Sequence, residues 1–191
     1  MDPRRLRLLT ILAVPVFAAL TLLAVTQPWW TVTLADRPIE VIGTAASPAL
    51  SALSLSSFAL AAALAISGPV FRVIMGVLQI AIGGTVVLAS MVSITDPIAA
   101  SASLISEATG VAGDESVAAL VESVTLGAWP WVAVVSGVLA ALVGILLLAT
   151  FRRWPAASRK YQAVRLEDPS APRDSVGDWD ALSDGADPTD R

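Results

Sequence analysis

Four apolar stretches constrain this chain more than any other feature. They cover residues 6–25, 50–68, 73–95 and 131–151. Apart from Arg7, at the very start of the first, none contains a charged residue. Each is 19 to 23 residues long, and an α-helix needs about 20 to cross the hydrocarbon core of a bilayer. Within that core the backbone must satisfy its own hydrogen bonds, so such stretches fold as helices. A mean hydropathy of +0.74 and an apolar share of 55% argue against a soluble globular domain. The sequence therefore predicts an all-α membrane protein. Residues 1–151 form a four-transmembrane-helix bundle, and residues 152–191 form a tail.

Charge orients the bundle. Arg4, Arg5 and Arg7 lie at the start of the first span, Arg72 lies in the turn between the second and third, and Arg152, Arg153, Arg159, Lys160 and Arg165 follow the fourth. The two opposite loops, 26–49 and 96–130, carry only Arg37. The positive-inside rule places both termini in the cytoplasm and these loops outside. This is the expected topology of a multi-pass protein of a bacterial cell membrane. A basic start before an apolar run also describes a secretory signal peptide. The run here is long and lacks a small-x-small cleavage pattern, so an uncleaved first helix is expected.

The chain has no Cys and no His. That excludes disulfides, thiolate metal sites and imidazole catalysis. The spans hold no acid–base pair, nucleophile–base pair or metal-ligating cluster. The expectation is a non-enzymatic protein with no catalytic residues, no metal and no cofactor, whose first partner is the lipid bilayer and not nucleic acid.

Small residues mark where helices meet. The third span carries Gly76, Gly83 and Ser90 at seven-residue spacing, with Gln79 one turn from the first glycine. The fourth carries Ala133, Gly137, Ala140, Ala141 and Gly144. Such stripes let backbones approach closely, so Gly76, Gln79, Gly83, Gly137 and Gly144 form a candidate helix-packing seam. Glycine seams also permit a homo-oligomer. Gln79 is the one carboxamide inside a span, and it reads either as an interhelical hydrogen-bonding group or as part of a transport path. The second span is rich in Ser and Ala and is expected to be the most enclosed by neighbours.

Tryptophans cluster at the outer ends of two spans. Trp29, Trp30, Trp129 and Trp131 lie at the outer ends of the first and fourth spans. They read as an interfacial aromatic belt or as a candidate outward-facing pocket or partner surface. In the first loop, Thr31-Val32-Thr33-Leu34 and Glu40-Val41-Ile42-Gly43-Thr44 flank the turn signal Asp36-Arg37-Pro38, which suggests a hairpin. In the second, Asp96-Pro97 opens a helix and residues 110–113 break it. A second helix from Asp114 would then carry Val117, Leu120, Val121 and Val124 on one face. A long loop on so small a bundle is where specific recognition is expected.

The tail divides by charge. Its first part, with Arg152, Arg153, Trp154, Arg159 and Lys160, is expected to lie on anionic headgroups. Residues 167–190 hold eight acidic residues and only Arg173 as a base, and are expected to be disordered in the cytoplasm. Within them Trp179, Asp180 and Leu182 suit a short motif that folds on a cytoplasmic protein partner. The alternative is a solubilising tail.

Several words of the sequence are not demanded by topology. They include Gln27-Pro28-Trp29-Trp30, Gly43-Thr44, Ser47-Pro48-Ala49-Leu50 and Trp129-Pro130-Trp131. The tail adds Arg153-Trp154-Pro155, Ser158-Arg159-Lys160-Tyr161, Asp178-Trp179-Asp180-Ala181-Leu182 and Asp187-Pro188-Thr189. In these the chain resembles, over essentially its whole length, the Trp-biosynthesis-associated transmembrane proteins of actinobacteria. Ser183-Asp184-Gly185-Ala186 departs from the more charged spacer expected there. The resemblance implies a gene setting beside tryptophan biosynthesis and a membrane location, and no reaction. Two functions then compete. One is an accessory membrane protein that binds a partner or a small aromatic molecule. The other is an oligomeric transporter subunit for tryptophan or an indole-type intermediate.

Overall fold

The computed structural model describes residues 3–153. Four of its helices are long and apolar enough to cross a membrane: α1 (Pro3–Val25), α3 (Ala49–Ile66), α4 (Pro69–Thr95) and α7 (Trp129–Thr150). The last runs into a 3₁₀ turn, Phe151–Arg153. Between α1 and α3 lie β1 (Pro28–Leu34), β2 (Pro38–Ile42) and the short α2 (Gly43–Ala46). Between α4 and α7 lie α5 (Pro97–Thr109), α6 (Asp114–Ala119) and β3 (Val121–Leu126). Both connections lie at one end of the bundle and pack together there as a head. The start of α1, the end of α7 and the α3–α4 turn lie at the other, terminal end.

The start of the third span shifts for a local reason. Pro69 takes the first turn of α4, where its missing N–H costs nothing, so that helix starts earlier than expected. Arg72 thus lies inside the first turn of α4 and not in a loop, and it is 2% exposed. α1 continues through Pro15.

The bundle is held by its small residues. α4 and α7 run antiparallel, and their glycines face each other across the contact. A Cβ built on Gly83 would lie 2.5 Å from Ala141 N and 2.7 Å from Gly137 O. One on Gly144 would lie 2.9 Å from Gly76 O, and one on Gly76 would lie 2.7 Å from the Leu147 side chain. Each of these glycines sits inside a helix, where glycine costs about 1 kcal/mol relative to alanine. The close approach is what that cost secures. On the other side of α7, the hydroxyls of Thr21 and Ser136 meet at 2.7 Å and tie α1 to it. The central helix is therefore α7, with 39% of its apolar window buried against 33% for α3. The expectation that the second span is most enclosed is corrected. The Ser and Ala residues of α3 lie all round the helix, so half of them, among them Ala52, Ser56 and Ala59, face outward.

The all-α expectation holds for the spans and fails in the head, which contains a three-stranded antiparallel sheet of order β2-β1-β3. The β1–β2 hairpin is where the alternation placed it, with Thr31 opposite Glu40 and Val32 opposite Ile39. The expected second loop helix stops at Ala119. Residues 121–126 instead pair with β1, Val32 opposite Val124 and Thr31 opposite Thr125. Val121, Val124 and Thr125 are β-branched and favour strands. β1 would otherwise leave one edge unpaired, so tertiary pairing overrides a helical spacing that was coincidental.

Gly83→Leu is expected to abolish most of the folded yield in detergent, because backbone atoms occupy the space its side chain needs. Val138→Leu, at a position 44% exposed toward the lipid side, should leave yield within a factor of two. Equal yields, measured by gel filtration of matched preparations, would show that the seam does not lock the bundle.

Candidate functional site

The head is organised by two adjacent tryptophans. β1 has one residue more than β2 between the pairs Pro28–Ile42 and Trp30–Val41, which makes Trp29 the extra residue of a β-bulge. In a regular strand successive side chains point to opposite faces. Here both indoles are buried, Trp29 at 0% and Trp30 at 1% exposure. They meet at a ring-centroid distance of 5.8 Å with planes tilted by 60°.

Each indole N–H has a partner, as buried polar groups require. Trp29 Nε1 donates to the Ala24 carbonyl at 2.9 Å. Ala24 is in the last turn of α1, where carbonyls have no intrahelical donor, so the indole caps the helix. Trp30 Nε1 donates to Ser101 Oγ at 2.8 Å, and that hydroxyl donates onward to Pro97 O at 2.6 Å. Thus one tryptophan fastens β1 to α1 and the other fastens it to α5. Two glycines make room. A Cβ on Gly43 would overlap the Trp29 indole and Val25 Cα, and the Gly127 N–H donates to Trp29 O at 2.7 Å. The buried set continues through Val32, Leu34, Val41, Ile105 and Val117 into Val86 and Ala133 of the spans. Head and bundle therefore share one core.

The four tryptophans do not form one aromatic surface. Trp29 and Trp30 are core. Trp129 is partly buried against that core. Trp131 is 49% exposed and lines a wholly apolar groove of about 260 Å³ with Leu20, Val132, Val135, Ser136 and Leu139. Only Trp131 fits the interfacial belt. The seam residues do come together: Gly76, Gly83, Gly137 and Gly144 lie on the α4–α7 contact, and Gln79 is 1% exposed beside them. Gln79 Nε2 reaches Ala140 O at 3.5 Å, while Oε1 has no hydrogen-bond partner among the described residues. That is an interhelical contact. Arg152 is exposed in the 3₁₀ turn, with its guanidinium 5.8 Å from the Phe151 ring centroid. The Arg153 side chain, Trp154, Arg159, Lys160, Trp179, Asp180 and Leu182, and with them the expected disordered tail, lie outside the described residues.

Sequence reasoning missed the surface feature of the head. α6 is a ridge between two depressions. One, of about 240 Å³, is lined by Asp96, Ile98, Ala99, Ala102, Asp114, Val117 and Ala118. The other, of about 190 Å³, is lined by Leu34, Ala35, Asp36, Thr109, Ala119, Leu120 and Glu122. Each has an apolar floor and two carboxylates at its rim. Asp96 also caps α5 by accepting from Ala99 N at 3.0 Å. Asp36 sits 3.9 Å from Arg37, and Arg37 also donates to Ala108 O. The head carries Asp36, Glu40, Asp96, Glu107, Asp114, Glu115 and Glu122 against a single base, Arg37. The acidic residues were visible in the sequence, but the pairing of Asp36 with Glu122 across one depression required β3 to lie beside β1.

Trp30→Ala is expected to destabilise the protein by about 3–5 kcal/mol, the range for removing a buried aromatic side chain. Trp30→Phe keeps most of the bulk and loses the bond to Ser101, at about 1 kcal/mol. Thermal unfolding in detergent checks both, and an unchanged midpoint for Trp30→Ala would mean that the indole does not hold the head together.

No curated protein and no solved structure matches the chain. A family of tryptophan-associated transmembrane proteins matches residues 11–189, which includes the paired tryptophans, the seam and most of the tail. The chain therefore belongs to the tryptophan-associated transmembrane protein family.

Proposed function

We propose that this multi-pass membrane protein is a non-enzymatic accessory protein of tryptophan biosynthesis, acting as a membrane-held binding platform with its head outside the cell membrane and both termini in the cytoplasm. The observation that carries the reading is the head. It is ordered through a core shared with the spans, yet it presents two carboxylate-rimmed depressions on either side of α6 that the fold itself leaves open. A partner with basic side chains is complementary to that surface, and charge complementarity favours encounter and selects against acidic partners.

The bundle supports binding over transport. At mid-bundle, α4 and α7 meet backbone to backbone at Gly83 and Gly137. The hydroxyls of Thr21 and Ser136 are engaged with each other. Among the described residues the one carboxamide inside a span, Gln79, sits in the same closed seam. Carriers usually line their path with polar or ionisable groups. The absence of Cys and His from the chain supports the non-enzymatic reading.

Tryptophan uptake and efflux should be equal in cells with and without the gene, and a photo-reactive residue at position 118 should give a discrete adduct that Asp114→Lys removes. A gene-dependent tryptophan flux would replace this reading with the transport one. Orientation is checked separately. The chain has no native Cys, so Ala112→Cys should react with an impermeant thiol reagent in intact cells and Ala171→Cys only after lysis. The reverse pattern would invert the topology.

A further inference from the structure

The terminal end of the bundle carries an apolar groove that the reading above does not use. It has a volume of about 320 Å³ and is lined by Pro69, Val70, Val73, Ile74 and Phe151, none of which has a polar side-chain atom. Four of these residues belong to the first two turns of α4, a helix that meets the length and composition of a membrane span. The groove thus lies where hydrocarbon gives way to headgroups. Its walls are open: Val70 is 70% exposed and Ile74 45%. The guanidinium of Arg152 stands 5.8 Å from the ring centroid of Phe151, one of the lining residues.

Among the described residues the charge at this end has one sign. The charged side chains described here are Arg5, Arg7, Arg72 and Arg152, whereas the described carboxylates all belong to the head. Arg7 is tied to the α3 end through Ala65 O at 3.0 Å. We propose that this groove holds one anionic phospholipid, with an acyl chain against Val70, Val73, Ile74 and Phe151 and its phosphate on Arg152. Basic sites beside membrane helices select anionic headgroups in this way, and a guanidinium pairs with phosphate through two parallel hydrogen bonds. A water-soluble polar ligand does not fit, because no lining side chain offers a hydrogen bond. A second copy of the chain does not fit either, because it would bring two arginine-rich ends together.

Native mass spectrometry of the full chain, with phosphatidylglycerol or phosphatidylcholine of matched acyl chains, tests this. One phosphatidylglycerol should remain bound, and phosphatidylcholine should be lost at the same collision energy. Arg152→Gln should lower retention about fivefold, the equilibrium factor for one basic side chain at an anionic surface. Val70→Trp fills the groove from an exposed position and should lower it at least as much. Arg37→Gln removes the same charge from the head and should change nothing. Equal retention of the two lipids would overturn the proposal. So would an Arg37→Gln effect equal to that of Arg152→Gln, or unchanged retention in both terminal-end variants.

Discussion

Lipid tails are as apolar as leucine, so burial of apolar surface does not hold membrane helices together. They associate through close packing and interhelical hydrogen bonds. In this protein that requirement falls on the α4–α7 contact. Gly76, Gly83, Gly137 and Gly144 bring two backbones to distances that no side chain would allow. α7 thereby becomes the axis to which α1 is tied by Thr21 and Ser136. α3 packs on α1 and α4 and turns a face of small residues outward. The position of the loops follows from this arrangement. Antiparallel packing of four spans leaves both long connections at one end, and only there can residues some 90 positions apart form a sheet.

The head is coupled to the bundle by side chains whose two ends differ chemically. An indole is mostly apolar surface with one N–H donor. Trp29 uses its donor on the Ala24 carbonyl in the last turn of α1, and Trp30 uses its own on Ser101 of α5. A single bulge in β1 points both inward. Because one core runs from Val117 in the head to Val86 and Ala133 in the spans, a load on the head is carried into the bundle. A surface held in this way can bind without itself reorganising, which reduces the entropy that association must overcome.

Among the described residues, charge sorting makes the two ends chemically different. The head is acidic and its depressions have carboxylate rims, which suits basic protein surfaces. The terminal end is arginine-rich around an all-carbon groove, which suits anionic lipid. Neither property needs a reaction centre. Both agree with a protein whose family is defined by its membrane location and its association with tryptophan.

Much of this was legible in the chain itself. The four spans follow from the length and polarity of their stretches. The α4–α7 seam follows from Gly76, Gly83, Gly137 and Gly144, because small residues at helical spacing have few other uses in a membrane. The β1–β2 hairpin and the start of α5 follow from local turn and capping chemistry at Asp36-Arg37-Pro38 and Asp96-Pro97. What the chain could not show was long-range pairing. Residues 121–126 fit a helical face and a strand equally well, and only the open edge of β1 decides for the strand. Trp29 and Trp30 look interfacial because tryptophan usually is, and only the bulge, Ser101 and the glycines at 43 and 127 place them inside. The sequence alone determined where the membrane is crossed, since transfer into lipid depends on composition within one segment. The tertiary structure alone decided which tryptophans are core and which surface remains open, since each of those depends on a partner distant in the chain.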